Sequence, residues 1–207
     1  MTTTAEVPVP GQHHDDVDAV GRRQLTGVCL LILADVAFVG ALIFSYFYLR
    51  GLNTSNAWLS DGAATAPIWV GWAIAAALVV SAGFFRWALA GLRKGNLDRL
   101  VSGIGVAVVI VLLDAAAQVV QIMSFSFKPD ANAYASSVYT LAGANLFHLV
   151  LTGLVGLGVW NRARIGKYTA ADPWQVHIIA IWWVWIAVAG IGGALTTSFI
   201  ASPNIGS

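Results

Sequence analysis

The sequence predicts an all-α integral membrane bundle of five transmembrane helices, on three observations. Apolar residues make up 58% of the 207-residue chain and charged residues 10%, where soluble domains carry about a quarter charged. The apolar residues gather into five runs, each long enough to cross a hydrocarbon core, which takes about 20 helical residues. Between the runs, the connections are too short to fold as soluble domains.

Residues 1–24 read as a polar, mobile tail: "GQHHDDVDAVGRR" is rich in charge, and its His13 and His14 read as solvated residues rather than metal ligands. The first span covers about 25–49. It is too long for the apolar region of a cleaved signal, lies behind a polar tail and carries Asp35 near its middle, so it is expected to stay in the membrane. Cys29, the single cysteine, lies in this span and reads as a small core residue. The second span, about 68–92, has Trp69 and Trp72 at one end and Trp87 near the other. The third, about 100–123, carries Asp114, Gln118 and Gln121; the fourth, about 134–160, carries Asn145, His148 and Thr152. The fifth, about 176–200, carries Trp182, Trp183 and Trp185, and residues 201–207 read as a short external tail.

Lysine and arginine placement predicts orientation, because positive charge is retained on the cytoplasmic side. Arg22 and Arg23 precede the first span, Arg86, Arg93, Lys94 and Arg99 cluster around the second connection, and Arg162, Arg164 and Lys167 fill the fourth. The opposite side has Arg50 and Lys128. The N-terminus is therefore expected in the cytoplasm and the C-terminus outside. Trp69, Trp72, Trp87, Trp160 and Trp174 fall where interfacial aromatic belts form.

At about 1.5 Å per helical residue, Asp35, Asp114 and His148 come out at one level, roughly 15–22 Å from the cytoplasmic ends. Asp114, Gln118 and Gln121 share one helix face, as do Asn145, His148 and Thr152, and the two faces are expected to meet. An ionised acid at mid-membrane costs a few kcal/mol or more unless paired, protonated or wetted. Asp35 therefore requires His148, a glutamine or a water as partner. The cluster reads either as interhelical hydrogen-bonded packing or as a proton-handling site. Trp182, Trp183 and Trp185 read as a helix anchor or as a contact with a partner subunit or lipid. The glycines at 153, 156, 158, 190, 192 and 193 read as close-packing positions rather than hinges.

Several function classes are excluded or disfavoured. A net charge of +1 without a basic stripe gives no field for nucleic acid. Haem or copper centres need several histidines at matching depth, and only His148 and His177 lie in or near spans, so no cofactor and no metal are expected in this chain. With no phosphate loop and no Ser-His-Asp arrangement, no independent catalytic activity is expected.

The segment "LLILADVAFVGALIFSYFYLR" resembles the acid-containing helix of subunit III of the haem-copper terminal oxidases, with Asp35 in the place of that family's glutamate and Arg50 closing the pattern. "AGANLFHLVLTG" is similar to the family's T-G-F-H-G-x-H-V-x-x-G helix: Gly143 matches its glycine and His148 its second histidine, while Asn145 stands at the first. "RARIGKYTAADPWQVHIIAIWWVWIAVAG" is similar to the family's final basic loop and helix, with Trp183 and Ile186 at the places of a histidine and an aspartate. The resemblance covers all five spans and is strongest in the first.

The resemblance implies the five-helix form of a non-catalytic subunit that stabilises the catalytic subunit and its proton-uptake path in a respiratory complex of the bacterial cell membrane, either a cytochrome c or a quinol oxidase. It implies partnership with subunit I and with subunit II, contact with membrane lipids, and haem and copper held by the partner rather than by this chain. The departures at Asp35, Asn145, Trp183 and Ile186 leave open the accessory subunit of a nitric oxide reductase. A free-standing proton-coupled transporter is the alternative from another class, against which five spans do not divide into equal inverted halves.

Overall fold

The computed structural model describes residues 17–53, 57–59 and 62–201. The tail before Val17, with His13 and His14, and the tail after Ala201 lie outside the described residues. Five helices follow in order: α1 (Val17–Leu52), α2 (Ile68–Arg93), α3 (Leu97–Met123), α4 (Ala133–Arg164) and α5 (Trp174–Thr197). All five are long and apolar enough to cross a membrane, and among the described residues there is no strand. The chain is an all-α, multi-pass membrane protein.

Local chemistry sets the helix ends. The side chains of Asn96 and Asn132 accept the backbone N–H groups of Arg99 and Ala135 at 2.9 and 2.8 Å, capping α3 and α4. The tight turn from α2 to α3 passes through Gly95 at φ +73, where a side chain would be strained. α1 corrects the expected tail boundary, because residues 17–24 are its first turns. The Trp174 indole donates to Asp18 Oδ1 at 3.0 Å, and its ring lies so close to Gly21 that any side chain there would collide with it. Polarity alone marks these residues as tail; packing against the start of α5 makes them helix.

The bundle has two ends. The base carries the start of α1 and the α2–α3 and α4–α5 connections; the rim carries the α1–α2 and α3–α4 connections and the end of α5. Arg93, Lys94, Arg99, Arg162, Arg164 and Lys167 therefore lie together at the base. Arg99 is satisfied there by the Trp87 carbonyl at 3.0 Å and by the Trp87 ring at 4.5 Å.

α2 packs on α3 and α5, and α3 on α4, whereas α1 touches α4 and α5 only. The buried and half-buried positions of α1 include Gly21, Leu25, Val28, Ile32, Asp35, Val39, Leu42, Tyr46 and Leu49, spaced four and three residues apart, with Ala19, Val20, Ile43, Arg50 and Gly51 half-buried as well. That heptad spacing makes one narrow seam. Asp35 lies on it. Gly156 shows how closely the helices approach: a Cβ there would meet the Trp183 ring at 2.6 Å and Val108 at 2.7 Å. Gly153 and Gly190 are similarly tight, whereas Gly158 and Gly193 face open space. The base half has an apolar core in which Phe85 stacks on Trp183 at 4.5 Å. The rim half packs Tyr46, Trp58 and Tyr134 edge to face, with Trp58 donating to the Ile200 carbonyl at 2.8 Å.

Candidate functional site

Between those two apolar layers lies a polar layer in two parts. In the first, α1, α4 and α5 converge on a carboxylate. His148 Nε2 lies 2.9 Å from Asp35 Oδ1, and the Trp185 indole N–H donates to Asp35 Oδ2 at 2.6 Å. The side chains of His148 and Asp35 are 4% and 14% exposed. Phe38, Phe147 and Trp182 ring the imidazole, with centroids 5.9 to 6.4 Å away. An indole nitrogen can only donate, so Oδ2 must accept. The acid at the centre of α1 has a hydrogen-bond partner at each oxygen, which offsets the penalty for placing it in hydrocarbon.

The second part joins α3 to α4. Gln118 donates to Gln121 Oε1 at 2.6 Å, and Asn145 donates to Gln118 Oε1 at 2.7 Å. The predicted meeting of the two polar faces takes place here, through Gln118 and Asn145. Asp114 does not join either part. It is 6% exposed, its Oδ2 is buried without a hydrogen-bond partner, and the residue borders a groove between α2 and α3 near the rim half of Trp69 and Val120. Shared depth with Asp35 and His148 does not bring Asp114 to them: α1 and α3 are not in contact, and on α3 Asp114 borders the groove with α2.

Besides the groove at Asp114, which also reaches Gln121, two cavities adjoin the polar layer. The larger begins among Pro67, Phe125 and Thr197 at the rim and reaches Gln118, Gln121 and Asn145. The smaller lies between α1, α4 and α5 and is lined by Asn145 and His148. Leu141, Asn145 and Gly193 line both.

The tryptophans correct an expectation. Trp182 and Trp183, expected to anchor the helix or meet a partner or lipid, are 7% and 0% exposed inside the bundle. Each indole finds an internal acceptor: Trp182 donates to Thr152 Oγ1 at 3.0 Å and Trp183 to Ser81 Oγ at 2.8 Å. Trp185, expected like them to anchor the helix or meet a partner or lipid, is half-buried and belongs to the carboxylate site, a role the sequence reading did not assign to it. A signal was available. Three neighbouring indoles in one span need three acceptors, and Ser81, Thr152 and Asp35 are mid-span acceptors.

Among the described residues no three His, Cys, Asp or Glu side chains lie close enough to share a metal ion. The chemistry open to the layer is hydrogen bonding and proton transfer. No protein-family model matches the chain, and no curated protein matches it.

Proposed function

We propose that this chain is a non-catalytic, subunit III-like component of a respiratory haem-copper oxidase, lying in the bacterial cell membrane with its base on the cytoplasmic side. The observation that carries the reading is the Asp35–His148 contact at 2.9 Å. The residues at the acid position of the first resembling segment and the histidine position of the second are hydrogen-bonded to each other, although 113 positions apart.

A second observation supports a subunit role. α1 contributes one seam to its own chain, and outside that seam Leu30, Phe44 and Tyr48 are 62%, 68% and 55% exposed. Lipid or a catalytic subunit covers such a face in a membrane. In this reading the pair at Asp35 and His148 holds α1 at a fixed rotation against α4 and α5, which sets the surface that α1 presents to its partner. Subunits I and II carry the haem and copper, and this chain stabilises subunit I and the mouth of its proton-uptake path.

Purification from native membranes in a mild detergent tests the reading. The chain is expected to bring with it a haem- and copper-bearing partner that consumes oxygen. A partner that reduces nitric oxide instead would select the reductase accessory subunit. Recovery of the chain alone, active in proton-coupled uptake after reconstitution, would select the transporter.

A further inference from the structure

The polar layer is open towards one end of the bundle and packed towards the other. On the rim side, the larger cavity offers about 60 Å³ to water, and the smaller one, reaching His148, about 30 Å³. Each exceeds the roughly 10–15 Å³ that a single water needs, so both have room for water. Their shared wall carries Asn145, whose amide can donate and accept. Asn145 and His148 are one helical turn apart on the same face, within reach of a bridging water.

On the base side the same helices are filled. Trp182 is bonded to Thr152, and Trp183 is bonded to Ser81 and stacked on Phe85. Gly156 leaves no room between α3, α4 and α5, because Trp183 and Val108 already occupy the space of a Cβ. Leu78, fully buried, sits against Gly190 at the inner end of the larger cavity.

We propose that the two cavities form a water-filled half-channel that opens at the rim and ends on the His148–Asp35 pair, so that this pair exchanges protons with the rim compartment alone. The inference does not rest on the oxidase reading, since it concerns only the interior of this chain. The groups facing the pair are Phe38 from α1, Phe147 and Asn145 from α4, and Trp182 and Trp185 from α5. None of these adds a further charge. Asp114 borders the α2–α3 groove and is separate from the pair. Water enters by way of Gln121, Gln118 and Asn145, whose amides supply donors and acceptors along the wall. The His148–Asp35 pair is where the proton is taken up and from which it is returned.

Thiol labelling from each side of the membrane tests this, because a thiol reacts as the thiolate and a thiolate needs water. The background is the full chain with Cys29→Ser. Lys167→Cys marks the base, and the silver ion, close to water in size, is the probe; thiols left unreacted are counted afterwards with a maleimide. Ala144→Cys, beside the smaller cavity, is expected to react from the rim and not from the base. Ala187→Cys, buried in the packed layer, is expected to react from neither side.

Gly193→Leu then places a side chain where the two cavities meet, since nothing lies within 4 Å of where its Cβ would stand. It is expected to slow labelling of Ala144→Cys by about tenfold or more, while Thr197→Cys at the mouth stays reactive and Ala187→Cys stays protected. If the leucine variant does not fold, the comparison of the two sides decides alone. Reaction of Ala144→Cys from the base, reaction from neither side, or a rate that a folded Gly193→Leu variant leaves unchanged would each overturn the half-channel.

Discussion

Asp35 and His148 predict a measurable coupling. Asp35→Ala removes the hydrogen-bond partner of two groups, the imidazole at 2.9 Å and the Trp185 indole N–H at 2.6 Å. A buried donor left without a partner costs about 1–3 kcal/mol, while membrane side-chain bonds average about 0.6 kcal/mol in net worth. Both donors lie in the bundle interior, so the single change is expected to destabilise by about 2–4 kcal/mol. His148→Ala is expected to cost a similar amount: it leaves Asp35 with Trp185 alone and empties the ring site between Phe38 and Trp182. In the double variant the orphaned partner is gone. Its destabilisation is expected to fall short of the sum of the singles by about 1–2 kcal/mol. Reversible unfolding in mixed detergent micelles, followed by the near-ultraviolet circular dichroism of the tryptophans, gives all four corners of the cycle. Additivity to within about 0.5 kcal/mol would refute the contact.

Further expectations follow from neighbouring residues. Trp185→Phe keeps most of the ring but leaves Asp35 Oδ2 without its donor, and should destabilise by about 1–2 kcal/mol in the same unfolding assay, with little further loss when Asp35 is already alanine. Gly156→Ala should cost about 1–3 kcal/mol, because its Cβ would displace Trp183 or Val108, whereas Gly158→Ala, facing open space, should be neutral or stabilising. A reporter in the Arg162–Lys167 connection should lie in the cytoplasm and one fused after Ser207 outside; the reverse would invert the proposed orientation. In the proposed oxidase complex, Asp35→Asn keeps hydrogen-bonding capacity but loses the titratable proton, so assembly should survive. Turnover should fall behind wild type as pH rises between about pH 6 and 9, and wild-type rates throughout that range would reduce Asp35 to packing.

What the sequence determined by itself was the layer structure: five apolar runs of spanning length, their alternating direction and the basic residues collected at one end. Those properties depend on one-dimensional spacing against a hydrocarbon slab of fixed thickness, so they can be read along the chain. Depth placed Asp35 and His148 at one level for the same reason. Depth could not choose partners, because helices at one level differ in rotation and in neighbours. Asp114 shares that level and meets neither residue, since α3 and α1 are not adjacent and Asp114 borders the groove with α2. The tryptophans turned inward for a related reason. Each indole donor found an acceptor on another helix, and which acceptor lay within 3.0 Å followed from how α5 sits among α1, α2 and α4. The one-sided wetting of the polar layer is likewise a property of the assembled bundle: glycines leave space at Gly193 and are filled by Trp183 at Gly156, and nothing in the spacing of the glycines distinguishes the two.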